Sequence, residues 1–535
     1  MKLLPVLPWI LFALSLSHPA KAGWSWSLPP GTEIPFPWGP EMPPTDDRLH
    51  RDLERLAIRG DLPLHAWSTR PVSRLELAAA GLRLDGETPS RARFRRDLAR
   101  ELHALGATGG PRETLPLLEV ASGDRRLRFR PYVRAMPRLT LAEGDGEWDW
   151  GDSTRAGLAA ALELGRDVTL SGDLFIGDVA GGRRFSDPLF AGTDVLVYTE
   201  RLDLNVRTPF ADFRFGRDRH RWGPGAWGNL LLDDSGAPFT FAQYDWALPP
   251  WLRFRAILGF LRQGQGLYLA AHRLTWAPSP RLEISLAEGA RFQSDAPGLL
   301  YALGFIPYTF VERIEIQDSA HDSTRTRRRN NVLWSLGWTW RTSSDQAFYG
   351  EILADEIANK TGSIPSRLGF LAGYAWAPRF GGYDWTLGIE AAKVYNFTYS
   401  VYYRDFCLCD WTHQDGPLGF PDGPDVERVV LRALVDVTPV WGGDLVVTLF
   451  RHGRGRLGVP WYPAGDPRAE GQPRRAYDLW EPILYGASVR GAVRWEPRDN
   501  VGGSVGLRFD RADATRDGSG PRNAGRLDLG LHLHL

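Results

Sequence analysis

From about Leu127 to the carboxyl terminus, apolar and polar side chains alternate at period two, the spacing that sends successive side chains to opposite faces of a strand. Arg126-Leu127-Arg128-Phe129-Arg130, Phe213-Arg214-Phe215, Leu252-Arg253-Phe254-Arg255 and Leu507-Arg508-Phe509 follow it with arginine on the polar face. Val195 to Val206, Val332 to Trp340, Arg367 to Trp376, Val426 to Val437, Leu445 to Phe450 and Tyr485 to Trp495 read as further strands. At the end of the chain Leu527, Leu529, Leu531, Leu533 and Leu535 share one face, and Asp528, Gly530, His532 and His534 share the other. A terminal strand with one wholly apolar face closes a transmembrane barrel against lipid; an edge strand of a soluble β-sandwich is the rival reading. Closing strands usually end in an aromatic residue, whereas this one ends in Leu535.

Roughly 410 residues belong to this region, and a membrane strand of about 10 residues with its connection takes a little over 20. That predicts about 16 to 20 strands, an even number, in an all-β transmembrane barrel. Long polar insertions interrupt the rhythm at Gln317 to Asn331, Tyr402 to Asp425 and Trp461 to Trp480. Such barrels keep short turns on the periplasmic side, so these insertions are expected to be surface loops, where recognition resides.

The amino-terminal part has other periods. Lys2, an apolar run from Leu3 to Leu16 and Ala20-Lys21-Ala22 form a signal peptide, residues 1–22, with cleavage near Ala22 and export to the outer membrane of a Gram-negative bacterium. Residues 23–44 are a Pro-rich leader, with seven prolines between Trp24 and Pro44. Residues 45–123 read as a small periplasmic helical element and 124–535 as the barrel. Leu49, Leu53, Leu56 and Ala57 recur at helical spacing before Gly60; Ser73 and Glu76 form a capping box ahead of a second helix ending near Gly81; a third, from about Ser90 to Leu105, carries Phe94, Leu98, Leu102 and Leu105 opposite arginines. Helices this short bury little surface alone, so they are expected to pack at the periplasmic mouth of the barrel.

Composition agrees with a barrel whose polar interior offsets an apolar belt: 58 Gly, 22 Trp, 16 Tyr and 25 Phe occur in a chain of negative mean hydropathy. The 64 basic and 64 acidic residues cancel, which gives no reason to expect a nucleic-acid partner. Cys407 and Cys409 are the only cysteines; free thiols, a strained loop disulfide and an intermolecular bridge are all compatible with a spacing of two. Two thiols with only His413 nearby do not complete a tetrahedral metal site, and no cofactor is expected.

Two sets of side chains could carry function. If Leu127, Phe129, Phe213, Phe254 and Phe509 face lipid, then Arg128, Arg214, Arg253 and Arg508 face the lumen, where they could bind a polyanion or pair with inward Asp and Glu. In the loops, Asp405, Asp410, Trp411, His413, Asp415, Trp461 and Tyr462 combine aromatic faces with groups that accept from hydroxyls, which suits a sugar; membrane-interface anchoring is the alternative.

The densest motif is Arg219-His220-Arg221-Trp222-Gly223-Pro224-Gly225, then Asn229-Leu230-Leu231-Leu232 and Ala237-Pro238-Phe239. Glycines and proline beside a large ring exclude an ordinary straight strand. The stretch resembles the Trp-Gly-Pro-Gly … Leu-Leu-Leu … Pro-Phe signature of the Wzi-type capsule assembly family. Asp47-Arg48-Leu49 … Asp52-Leu53 … Leu56 … Gly60 is similar to that family's helical opening, and Gly416-Pro417-Leu418-Gly419 … Gly423-Pro424-Asp425 to its late glycine-rich loop. Where the family often carries Ser-Asn-Asn-Ala, this chain has Asp233-Asp234-Ser235-Gly236. The Leu53 to Gly60 and Pro71 to Glu76 stretches are also similar to an S-layer-homology module.

The resemblance implies an outer-membrane barrel of about 18 strands with a periplasmic helical element. It implies binding of capsular polysaccharide or exopolysaccharide at the cell surface, in which Trp222 would shape the barrel, and it implies no catalysis. Assembly would involve outer-membrane lipid and the barrel assembly machinery. A diffusion porin for anionic solutes is the first alternative. An outer-membrane hydrolase is the second, since His220, His413, Ser235 and Asp415 are available but stand in no recognisable nucleophile motif.

Overall fold

The computed structural model describes residues 52–98, 118–178, 195–247, 251–318, 330–357, 365–401, 408–462, 466–498, 501–514 and 521–534, apart from residues 73, 83, 85–87, 123–124, 136, 143–147, 153, 166, 415 and 474. The signal peptide, the Pro-rich leader, the Asp47-Arg48-Leu49 opening, Ser73 and most of the third helix beyond Leu98 lie outside the described residues.

Eighteen antiparallel staves close into one barrel. They are β1 (Arg125–Ala135 continued by Pro137–Ala142), β2 (Trp148–Asp152 with Arg155–Leu164), β3 (Val168–Asp178), β4 (Val195–Arg207), β5 (Asp212–Asp218) and β6 (Phe239–Ala247). Next come β7 (Leu252–Arg262), β8 (Leu267–Ser279), β9 (Leu282–Gln293), β10 (Asn330–Arg341), β11 (Gln346–Glu356) and β12 (Arg367–Trp376). The last six are β13 (Tyr383–Val394), β14 (Val426–Asp436), β15 (Trp441–His452), β16 (Leu484–Arg498), β17 (Val501–Ala514) and β18 (Pro521–His534). The carboxyl-terminal strand seals the barrel as its alternation predicts: β18 pairs with β17 on one side and with β1 on the other, Leu531 opposite Ala135 and Leu527 opposite Leu139.

One end of the barrel has the short turns, such as those between β8 and β9 and between β16 and β17, together with the start of β1 and the end of β18. The other end carries the long connections after β9, β13 and β15, which contain the three insertions singled out above. In an outer-membrane barrel the first end is periplasmic.

The outward face is apolar because it meets lipid rather than water. Along β17, Val505, Leu507 and Phe509 are 53, 53 and 62 % exposed. Trp251, Trp276, Trp340, Trp441 and Trp495 project outward near the short-turn end, the depth at which amphipathic rings favour a membrane boundary. No described helix is long and apolar enough to cross a membrane; the strands do the crossing.

The amino-terminal helices do more than cover the mouth. α1 (Leu53–Arg59), α2 (His65–Ser68), α3 (Arg74–Gly81) and α4 (Pro89–Asp97) form a small core around Leu53, Leu56, Leu77 and Phe94, and ion pairs fix that core to the inner wall. Arg55 and Arg93 both reach Asp436 on β14; Arg59 pairs with Asp384 on β13 at 2.7 Å; Arg432 on β14 grips Glu54. Asp384 also accepts from the Ser90 backbone N–H at 2.8 Å and its hydroxyl at 2.6 Å. The Glu76 carboxylate meets Arg253 on β7 and His65. Buried pairs of this kind are costly to break singly, about 3 to 5 kcal/mol, because an uncompensated charge stays behind.

Two further helices come from the connection after β9: α5 (Leu299–Leu303) and α6 (Tyr308–Asp318). They pack on the outer wall of the barrel around Tyr268, Ala270, Ala290 and Phe292, and Glu288 accepts from the Tyr308 and Thr309 N–H groups at 2.7 and 2.9 Å. Period-two reading alone could not show a helix laid over a lipid-facing wall.

Leu507, near the middle of β17, should not tolerate charge. Leu507→Arg places a cation on the lipid face, where it costs about 2 to 4 kcal/mol at the midplane. Heat-modifiable gel migration should show impaired assembly, whereas Leu507→Val should assemble like the parent; equal assembly of both would reject the facing assignment.

Candidate functional site: a gripped plug and an aromatic loop

Part of the chain folds back into the lumen, on the side walled by β6 to β14. After β5 the chain turns inward, and Arg221-Trp222 pairs antiparallel with Thr69-Arg70, which rises from the helical element. Gly223 N–H donates to Ser68 O at 2.9 Å and Trp222 N–H to Leu232 O at 3.0 Å. Gly223 has φ 148°, and a Cβ there would run into Asn229 and Glu351, so the glycine in the motif answers both to conformation and to space.

An inward loop must have its backbone donors satisfied in a place without bulk water. Carboxylates on the wall do this. Glu351 on β11 accepts from Leu230 N–H at 2.7 Å, Leu231 N–H at 3.2 Å and Ser335 Oγ at 2.6 Å. Glu390 on β13 accepts from Ala226 N–H at 2.6 Å, Trp227 N–H at 3.2 Å and Tyr349 Oη at 3.0 Å. Within the loop, Asp233 accepts from Asn229 N–H at 2.9 Å and Ser235 N–H at 3.0 Å, which gives the departure from the family's run a definite structural task. The sequence reading missed Glu351 and Glu390; their signal was an acid at mid-strand on the inward positions of β11 and β13.

The connection after β13 packs on this loop from the long-loop end. Trp411 Nε1 donates to Leu231 O at 2.8 Å, Tyr399 Oη to Leu230 O at 2.6 Å, and Asp233 N–H to Leu418 O at 2.9 Å. Trp67, Trp222, Leu230, Leu231, Trp411 and Phe420 thus belong to one hydrophobic core inside the barrel. The two stretches that carry the family resemblance touch each other there.

The expected site residues therefore separate. Asp405, Asp415 and Cys407 lie outside the described residues. Trp411 is 0 % exposed, Trp222 is buried beside it, and His413 and Asp410 are buried, with His413 Nε2 against Pro238 O at 3.3 Å and Asp410 accepting from Val401 N–H at 2.9 Å. The expectation that Trp411 stacks on a sugar is corrected: its ring packs against Gly289 and Leu231 and leaves no face open. Cys409 is buried and disulfide-bonded.

Trp461 and Tyr462 stand apart from that core on the long connection after β15, each half-buried. Arg468 lies over the Tyr462 ring at 4.2 Å and holds Asp466 at 2.7 Å; Gln472 accepts from Tyr462 N–H at 3.1 Å and donates to Pro460 O at 3.0 Å. The base of this loop is tied by Asp425, which accepts from Gly455 N–H at 2.7 Å and Trp480 N–H at 3.1 Å. Burial pushes the Asp425 carboxyl up, against those two N–H groups, which favour the charged form. The loop offers rings, a carboxylate, a guanidinium and an amide within one short segment.

The four inward arginines are accounted for by carboxylates of the wall and, for Arg253, of α3. Arg128 pairs with Glu163 at 2.7 Å, Arg214 with Asp203 and Asp218, Arg253 with Glu76, and Arg508 with Asp510 at 2.8 Å. Of the two readings of these residues, charge compensation fits this geometry and a basic polyanion track does not. No metal-binding cluster of His, Cys, Asp and Glu occurs among the described residues.

The fold and the inward-folded core define a β-barrel of the outer membrane that carries an internal plug. Its fold is Wzi-like: Wzi of Escherichia coli, an outer membrane protein involved in group 1 capsule assembly and described as a carbohydrate-binding β-barrel, is 17% identical, with 91% of this chain and 98% of that one covered and a TM-score of 0.58. OprD of Pseudomonas aeruginosa is 12% identical over 76% of this chain and 95% of its own, with a TM-score of 0.41, and OpdQ of the same organism 9% identical over 76% and 98%, also at 0.41. No protein-family profile and no curated sequence matches the chain.

Two predictions concern the plug. Glu351→Ala strands the Leu230 and Leu231 N–H groups at about 1 to 3 kcal/mol each. In planar bilayers this variant should open more often than the parent, and Glu351→Gln, which keeps an acceptor, should fall between them; three identical conductance records would reject the grip. The second is a pH effect. Burial holds His413 down at about 4, below the 6.5 of an unfolded chain, so its contribution is fully present above 6.5 and lost as pH falls toward 4, up to about 3 kcal/mol. Protease nicking of the 408–418 segment should rise across that window, and His413→Gln should flatten the rise.

Proposed function

We propose that the protein binds capsular polysaccharide or exopolysaccharide at the cell surface and helps assemble or attach the capsule. The observation that carries this reading is the plug: a core that includes Trp67, Trp222 and Trp411 occupies the lumen beside β6 to β14, and the rings free for recognition stand at the long-loop end. The resemblance of the Trp222 and Gly416 stretches to the Wzi-type family and the Wzi-like fold over nearly the whole chain support the same reading.

The contacts belong to Trp461 and Tyr462, with Asp466, Arg468 and Gln472 beside them. Sugars present C–H faces that stack on rings and hydroxyls that donate to carboxylates and amides. One lost ring removes on the order of 1 kcal/mol, and repeated sites on a polymer multiply the effect. The porin alternative lacks a supporting observation, since the inward arginines already hold carboxylates and a packed core occupies the lumen beside β6 to β14. The hydrolase alternative is weakened at its base: His220 lies between Phe239 and Phe241 with neither ring nitrogen hydrogen-bonded, so no group orients it.

Trp461→Ala and Tyr462→Ala together should reduce polysaccharide retention by the purified protein at least several-fold and leave the barrel folded. Trp411→Ala should loosen the plug instead. Glycan-array binding, paired with bilayer conductance, separates the outcomes: no polysaccharide bound and steady conductance would favour the porin. Deletion of the gene should strip polymer from cells that still release it.

A further inference from the structure

The outer wall between β12 and β17 carries two in-register rows that differ from the rest of the belt. The lower row runs Ala372, Ala391, Val429, Leu449, Ala487 and ends at Arg511. Directly above it, toward the long-loop end, runs Phe370, Lys393, Glu427, Arg451, Tyr485 and Asp513. Small side chains in the lower row make a groove of about 960 Å³, flanked by Phe370 and Leu449. Lys393 and Arg451 stand along its upper edge and Arg511 at its end, three cations against the carboxylates of Glu427 and Asp513. Lys393 Nζ and Arg451 Nε share the single Glu427 carboxylate, at 2.7 and 2.8 Å, and Arg511 is exposed with no carboxylate partner among the described residues.

A wall that only meets lipid chains needs neither small residues nor cations at this height. Two cations on one carboxylate leave a surplus of positive charge facing outward, and an anionic head group would complete it. The groove below is continuous with the lipid-facing belt, so its occupant is acylated. Tyr477 and Tyr485, both exposed, mark the same boundary, where amphipathic rings favour the head-group layer.

We propose that this wall is a specific site for a phosphorylated, multiply acylated glycolipid of the outer leaflet. Its acyl chains occupy the Ala372 to Ala487 groove, and its phosphates meet Lys393, Arg451 and Arg511. The site is separate from the plug and from the aromatic loop, and it would seat the barrel in the leaflet from which the surface polymer projects.

The test uses the full mature chain in detergent, with native mass spectrometry as readout and three probes: bisphosphorylated lipid A, the same lipid dephosphorylated, and phosphatidylethanolamine. The parent should retain bisphosphorylated lipid A at least tenfold better than either of the others. The triple variant Lys393→Gln, Arg451→Gln, Arg511→Gln should lose that preference, and Ala391→Trp, which fills the groove, should lose the binding; heat-modifiable migration checks that both are folded. Should the triple variant misfold, Arg511→Gln alone must reduce the preference. Equal retention of all three probes by the parent, or an unchanged preference in the folded Arg511→Gln chain, overturns the proposal.

Discussion

Everything inside this barrel depends on acids that face inward from its wall. A closed sheet of this many strands encloses more space than its own side chains can fill, and segments that enter must satisfy their backbone and charged groups without bulk water. Asp384 and Asp436 near the short-turn end hold the helical element through Arg59, Arg55 and Arg93. Higher up, Glu351 and Glu390 hold the Trp222 loop through its N–H groups. Only with both held do Trp67, Trp222 and Trp411 meet in a single apolar core.

This arrangement explains why the inward arginines are not free. Charge on the inner wall is matched pair by pair, and many of the partners come from other parts of the chain: Arg432 on the wall takes Glu54 of α1, Arg253 takes Glu76 of α3. Overall neutrality in the sequence was the visible trace of this matching. It could not say which acid goes with which arginine, because partners such as Arg55 and Asp436 lie 381 residues apart.

Strand positions were legible because lipid imposes an unforgiving alternation; Leu507, Arg508 and Phe509 alternate outward, inward, outward as written. The sites were less legible. Trp411 and Trp461 look alike in sequence, each an aromatic beside polar residues in a long insertion, yet the first is sealed against Leu231 and the second remains at the loop. What separates them is whether the loop folds back into the lumen, and that is decided by distant partners such as Leu231 O and Gly289. The helices on the outer wall were missed for the same reason: Glu288 stands on an outward strand position and is tolerated there because it satisfies the first N–H groups of α6.

The consequence for recognition is directional. A core that includes Trp67, Trp222 and Trp411 occupies the interior beside β6 to β14, so a polymer approaching from outside meets the loops first. The Trp461 loop is suited to that meeting because its base is rigid. Asp425, buried and committed to Gly455 and Trp480, fixes both ends of the connection, while Arg468 and Gln472 hold Tyr462 from two sides. Rings held in place before the ligand arrives lose little freedom on binding, and that pre-organisation lets weak stacking contacts accumulate along a repeating chain.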